Sequence, residues 1–295
     1  YRPHAAARSL ASNRTGVVGL VIPSAVETLF DDPYFGRLIL GISQATNLAG
    51  TTLSLFLFRE ASDEVAVAQR VVSPGLVDGV IVTATQMGDP LIDELIGTGM
   101  PFVVVGRPDD ARPVNFVDVG NKDGAKTAAL HLAGLGRKRI GMIGAPSNTT
   151  AGVDRRAGFL EGLAEAGLAG KGLLVEGTWS EQSGFDRMNE LLRSRPDAVF
   201  VSSDRMAVGA LRAIREAGLR CPEDISVVSF DGLIPPTQTI PQLTSVTQPV
   251  LEVGERAAEL LHQAIRGDRK DPQQVVLPTE LVVRDSCGAE SGVAA

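Results

Sequence analysis

Few residues in this chain have the type and spacing needed for bond-making chemistry. GLGRKR (134–139) has two glycines but lacks the third of a dinucleotide fingerprint, and it precedes an apolar run where a fingerprint follows one. No phosphate-binding loop, zinc pair or nucleophile elbow occurs. His4, His131 and His262 are isolated from one another, and Cys221 beside Pro222 reads as packing. Nothing resembles an activated nucleophile with a nearby base. The chain is therefore expected to be no enzyme, and to need no cofactor or metal. What stands out is a set of residues suited to holding a small molecule. Ser24, Thr83, Arg107, Asp123, Trp179, Ser203, Asp231 and Gln248 all close or follow short apolar runs. Carboxylate and guanidinium groups make charge-assisted hydrogen bonds. Trp179, the only tryptophan, adds a flat apolar face. Arg155, beside Arg156, opens an amphipathic helix pattern. A cation there is unfavourable with the helix dipole and calls for a compensating anion or ligand.

The apolar runs that must position these residues are rich in Val, Ile and Leu. Five fall in the first half: 17–23, 52–58, 79–85, 102–107 and 115–120. Five follow at 139–145, 173–177, 198–203, 226–231 and 243–248. Helical patterns alternate with them. Asp32-Pro33 and Asp89-Pro90 each put a cap residue before a first-turn proline. Strands alternating with helices predict an α/β fold with parallel sheets. Two similar five-strand wraps predict two doubly wound subdomains. Ligands bind such sheets outside the carboxyl ends of the strands, so two facing wraps would enclose a cleft there.

Composition is ordinary for a globular protein. Hydrophobic residues make up 44% and charged residues 21% of 295. No apolar run is long enough for a membrane span, and two cysteines suit a reducing compartment. The formal net charge of -7 makes the chain a poor DNA binder by itself, because non-specific affinity requires phosphate neutralisation.

Several motifs together resemble the LacI/GalR family of transcription regulators. SSDRMAVGALRAIREAGLRCPEDISVVSFDG (202–232) follows the family's D-x-M-A-x-G-A run and the strand motif after it. EGTWSEQSGF (176–185), the R-x-A-G-F of 155–159, NKDGA (121–125) and DDPYFGRLILGI (31–42) match family segments in order. At the start, Tyr1, Pro3, Ala7, Arg8 and Leu10 fit the family's hinge pattern. One departure is Ser203, where many members carry Asn.

The resemblance implies a periplasmic-binding-protein-like fold joined by three crossovers, near 136–137, 243–248 and 278–281. It implies a hinge segment at 1–15, a first subdomain of 16–136 plus 247–278, a second of 137–246 plus 279–287, and a tail at 288–295. In the effector site, Asp123 would face Arg155, Asp231 would be an acid, Trp179 would pack on the ligand, and Tyr34 and Phe35 would wall the first subdomain. The partners implied are a small-molecule effector (a sugar before a purine), a second copy of the chain, and operator DNA. DNA would be read by a helix-turn-helix head preceding Tyr1, with Ala7, Arg8 and Leu10 at the minor groove. The resemblance also implies no membrane partner and a cytoplasmic location. The alternative is a sugar-binding protein of a transport system with the same fold.

Overall fold

A computed structural model describes residues 14–25, 31–58, 70–73, 75–83, 86–109, 112–170, 172–269 and 271–289. The hinge candidates Ala7, Arg8 and Leu10 lie outside these residues. The described chain divides into two compact units, 1–118 with 250–277 and 119–249 with 278–295.

The first unit is a six-stranded sheet in the order β11-β5-β4-β3-β1-β2. Its strands are β1 (Val17–Ala25), β2 (Thr52–Phe58), β3 (Gly79–Thr83), β4 (Phe102–Val105), β5 (Phe116–Val119) and β11 (Gln274–Leu277). β1 pairs in parallel with β2 and β3, and β3, β4 and β5 continue in parallel. Helix α1 (Pro33–Leu48) starts as the sequence predicts: the Asp32 carboxylate accepts from the Tyr34 amide at 3.0 Å, with Pro33 in the first turn. Asp89 and Pro90 do the same for α2 (Pro90–Thr98). Helix α7 (Val250–Arg266) closes on α1. β3 is buried at every residue, as expected of a central parallel strand covered on both faces.

The second unit repeats the plan in the order β12-β10-β9-β8-β6-β7. These are β6 (Ile140–Gly144), β7 (Leu173–Glu176), β8 (Ala198–Val201), β9 (Ser226–Asp231), β10 (Thr244–Thr247) and β12 (Glu280–Val282). Only β12 among the described pairings runs antiparallel, against β10. Side-chain alternation divides the core. Phe200, Val228 and Phe230 point to one face with Phe159 and Leu132, while Val199, Val201 and Val227 point to the other with Met188, Met206 and Ile214. The first face is covered by α3 (Asn121–Gly134) and α4 (Thr150–Glu165). The second is covered by α5 (Glu181–Leu192) and α6 (Asp204–Glu216). Both helix pairs approach through glycines. A Cβ at Gly158 would overlap the Lys122 carbonyl, and one at Gly209 would overlap that of Glu181.

Two expectations need correction. Each sheet has six strands, not five, because β11 and β12 are edge strands of four and three residues that give little periodic signal. The first crossover falls at 118/119, not near 136. Helix α3 groups with the second unit because its backbone is in glycine-mediated contact with α4. Lys122 and Lys126 also pair with Glu161, and Lys126 with Glu165. The other crossovers fall at 249/250 and 277/278.

Candidate functional site

In the second unit the carboxyl ends of the strands bring a polar cluster together. Its centre is Arg155, 4% exposed, in the second turn of α4 and not at its opening as expected, because the helix starts five residues earlier at Thr150. The helix is aimed by its cap, the Thr149 hydroxyl accepting from the Gly152 amide, and by Gly158. Nε of Arg155 donates to Asn121 Oδ1 at 2.8 Å. Nη1 donates to the Ser202 carbonyl past the end of β8 and lies 3.4 Å from Asp231 Oδ1 at the end of β9. Gln248, just past β10, donates from Nε2 to that same Asp231 oxygen at 2.7 Å. The guanidinium lies 3.6 Å from the ring centroid of Phe230 and 5.6 Å from that of Trp179. Such placement adds cation–π attraction to the ion pair.

A guanidinium this deeply buried is costly unless it is paired and hydrogen-bonded. Here it is both. The pair is thus weak evidence for stability, and its place at the carboxyl ends of the strands, where such sheets bind ligands, marks it as a candidate recognition site. Backbone strain gives an independent indication. Trp179 and Asp231 have φ of 67° and 111°. Left-handed backbone at a non-glycine residue costs about 1–3 kcal/mol and persists where the surroundings over-determine it, often at ligand sites.

The expected site residues divide by location. Arg155, Trp179, Asp231 and Gln248 meet in one cluster. Asp123 does not face Arg155. Asn121 takes that place, and Asp123 is exposed in the same first turn. Helical phase explains the exchange, since Asn121, Ala125, Ala128 and Leu132 form the buried face. Ser203 is buried and its hydroxyl caps α6, accepting from the Met206 amide at 3.2 Å. Trp179 also packs in part against the core on the α5–α6 face.

The remaining candidates belong to the first unit. Ser24 lies near the end of β1. Thr83 ends β3, and its buried hydroxyl has no hydrogen-bond partner among the described residues. Arg107 follows β4 and donates to the Pro108 carbonyl at 3.4 Å. Tyr34 and Phe35 meet edge to face at 5.5 Å, but Phe35 is buried and forms core in place of an open aromatic wall. Sequence reasoning overlooked Ser202 and Phe230; Asn121 and Asp204 stand out in the sequence only as polar residues following strand ends, with no role in the site assigned to them. Among the described residues no cluster of His, Cys, Asp and Glu could hold a metal, and no helix is long and apolar enough to cross a membrane.

Comparison with known proteins agrees with this architecture. Residues 129–287 match the periplasmic binding protein-like domain. The chain is 36% identical to the HTH-type transcriptional regulator CelR of Thermobifida fusca over 97% of its length and 85% of that protein. It is 30% identical to the regulator DegA of Bacillus subtilis over the same shares. A solved transcriptional regulator CelR–cellobiose complex superposes with a TM-score of 0.88 at 33% identity, covering 97% of this chain and 91% of that one. A putative LacI transcriptional regulator from Bacillus cereus subsp. cytotoxis gives 0.87 at 27% identity, covering 93% and 99%. These relatives are regulators, which disfavours the transport alternative. The chain belongs to the LacI/GalR family of transcriptional regulators, of which it forms an effector-binding core.

Proposed function

We propose that the chain senses a neutral mono- or disaccharide through Arg155, Asp231, Gln248 and Trp179, and that this binding controls operator recognition. The observation that carries the reading is the convergence on Asp231 Oδ1 of Arg155 at 3.4 Å and Gln248 at 2.7 Å, close to an aromatic ring on Arg155. Carboxylate, guanidinium and carboxamide together read vicinal hydroxyls, and an indole face suits the apolar side of a pyranose. The cellobiose held by the CelR structure supports a sugar. Operator DNA would be met through the arm bearing Ala7, Arg8 and Leu10, in the cytoplasm and by a homodimer. Leu40 and Leu48 of α1 and Leu55 of β2 stay exposed in the single chain, and a partner copy would cover such apolar surface.

Calorimetric titration with cellobiose, glucose and hypoxanthine tests the effector class. The expected result is saturable sugar binding that Asp231→Ala weakens by about 1–3 kcal/mol, because its donors lose their acceptor. Binding of hypoxanthine alone would redirect the reading to purines. Unchanged sugar affinity in the variant would remove Asp231 from the site.

A further inference from the structure

We propose that Asp204 is a positioning residue for the effector site, acting through the turn that carries Asp231. Asp204 opens α6 and is 2% exposed. Its Oδ1 accepts from the Ser229 hydroxyl at 2.5 Å and the Ser245 hydroxyl at 2.8 Å. Its Oδ2 accepts from the amides of Leu233 at 2.7 Å and Ile234 at 3.1 Å. Ser245 relays the hold one residue further, accepting from the Gly232 amide at 3.0 Å. Three consecutive amides after Asp231 are thereby tied to one buried carboxylate.

All four direct donors are neutral. A buried carboxylate is costly unless hydrogen-bonded, and this one also gains from lying in the first turn of a helix, where the macrodipole favours a negative charge. The amides of Leu233 and Ile234 can only donate, so Oδ2 must be an acceptor, and an asparagine would have to turn its N–H toward Ser229 and Ser245, lose the charge, and force both hydroxyls to reverse. The turn it fixes is the strained one. Asp231 holds φ at 111°, and Gly232 holds 69° with no room for a Cβ beside Thr247. Backbone so far from its preferred basins relaxes unless it is tied on several sides. Relaxation there swings the Asp231 carboxylate off Arg155 and Gln248. Asp204 touches no effector in this scheme. It keeps Asp231 in place to do so.

This inference rests on the reading of Asp231 as an effector contact, and the test separates the two. Cellobiose is titrated into the wild type, Asp204→Asn, Asp231→Asn and the double variant, with hydrogen exchange followed in the unliganded proteins. We expect Asp204→Asn to lower affinity about 10-fold or more, in line with loss of hydrogen bonds to a charged group. In the Asp231→Asn background the same change should cost less than about threefold, because coupled residues are non-additive. We also expect faster exchange at residues 232–234 with β8 unaffected. Multiplicative losses, or unaltered exchange at 232–234, would overturn the proposal. If Asp204→Asn does not fold, Ser245→Ala removes the Gly232 relay and one Oδ1 donor while leaving Leu233 and Ile234 tied, and is judged by the same two measurements. If no cellobiose binds, the sugar reading falls while positioning is still decided. A crystal structure of Asp204→Asn that keeps Asp231 on Arg155 and Gln248 refutes it, and one that parts them supports it.

Discussion

Gly158 of α4 meets the backbone carbonyl of Lys122 on α3 with no space for a side chain. Arg155 lies one turn earlier on α4, and Asn121, its partner, directly precedes Lys122. The glycine of the R-x-A-G-F motif therefore sets the helix spacing at which the guanidinium reaches α3. Gly158→Ala should separate the helices and destabilise the protein by about 1–3 kcal/mol, the usual cost of overpacking. Thermal unfolding should register a fall of several degrees, and sugar affinity should fall with it. A variant with wild-type Tm and affinity would show that the close approach is dispensable.

Arg155→Lys keeps a positive charge but lacks the fork that spans Asn121, Ser202 and Asp231. Arg and Lys are not equivalent at such a site. Breaking a buried pair strands its partner at a cost of about 3–5 kcal/mol, and Lys should recover only part of that. Denaturant unfolding should rank wild type above Arg155→Lys and Arg155→Lys above Arg155→Met.

Ser203→Ala separates capping from recognition. Loss of an N-cap hydroxyl costs about 1 kcal/mol, so α6 and the unit it belongs to should weaken by roughly that amount. With the hydroxyl acting as cap by accepting from the Met206 amide, sugar affinity should stay within about threefold. A large loss of affinity without loss of stability would return Ser203 to the site.

Stability of the first unit should fall on mild acidification. His262 shares a 2.9 Å hydrogen bond between Nε2 and the Thr51 hydroxyl. Burial holds its pKa below the ordinary 6.5, with the Ala258 backbone opposing and Arg266 adding to the shift. The folded state thus resists protonation and the unfolded state does not. The unfolded chain binds more protons below pH 6.5, so the stabilising contribution is complete above that value. It is lost as pH falls from there through the folded-state pKa. Unfolding titrations between pH 5 and 8 should show this slope, and His262→Gln should flatten it.

The fold was legible because its signals are local. Buried parallel strands such as Gly79–Thr83 read as unbroken apolar runs, and Asp32 and Asp89 mark helix starts by their own hydrogen bonds. The candidate cluster was legible where a side chain ends or follows a strand, as Asp231, Gln248 and Trp179 do. It failed where helical phase or competing partners decide. Asn121 and Asp123 are equally polar, and only the buried stripe through Ala125 and Ala128 selects the former. Ser203 could cap or bind, and only the geometry of α6 shows that its hydroxyl serves as the cap. Asp204 was visible as a polar residue after a strand, but its role was not, because its four partners lie 25–41 residues further along the chain. Phe35 resembled an exposed aromatic beside Tyr34, but the helix turns it into the core.

The three crossings of the chain between units bear on how the protein is made. Synthesis from the amino end completes residues 1–118 while α7, which packs against α1, and β11, the edge of the first sheet, are still untranslated. The second unit likewise waits for β12. Neither unit can therefore fold to completion on the ribosome before the other is nearly finished, unlike domains strung in series, which mature one at a time. A transcript broken after residue 249 would damage both units together, leaving the apolar faces of Leu38 and Ile42 without their cover and the emerging chain dependent on chaperones.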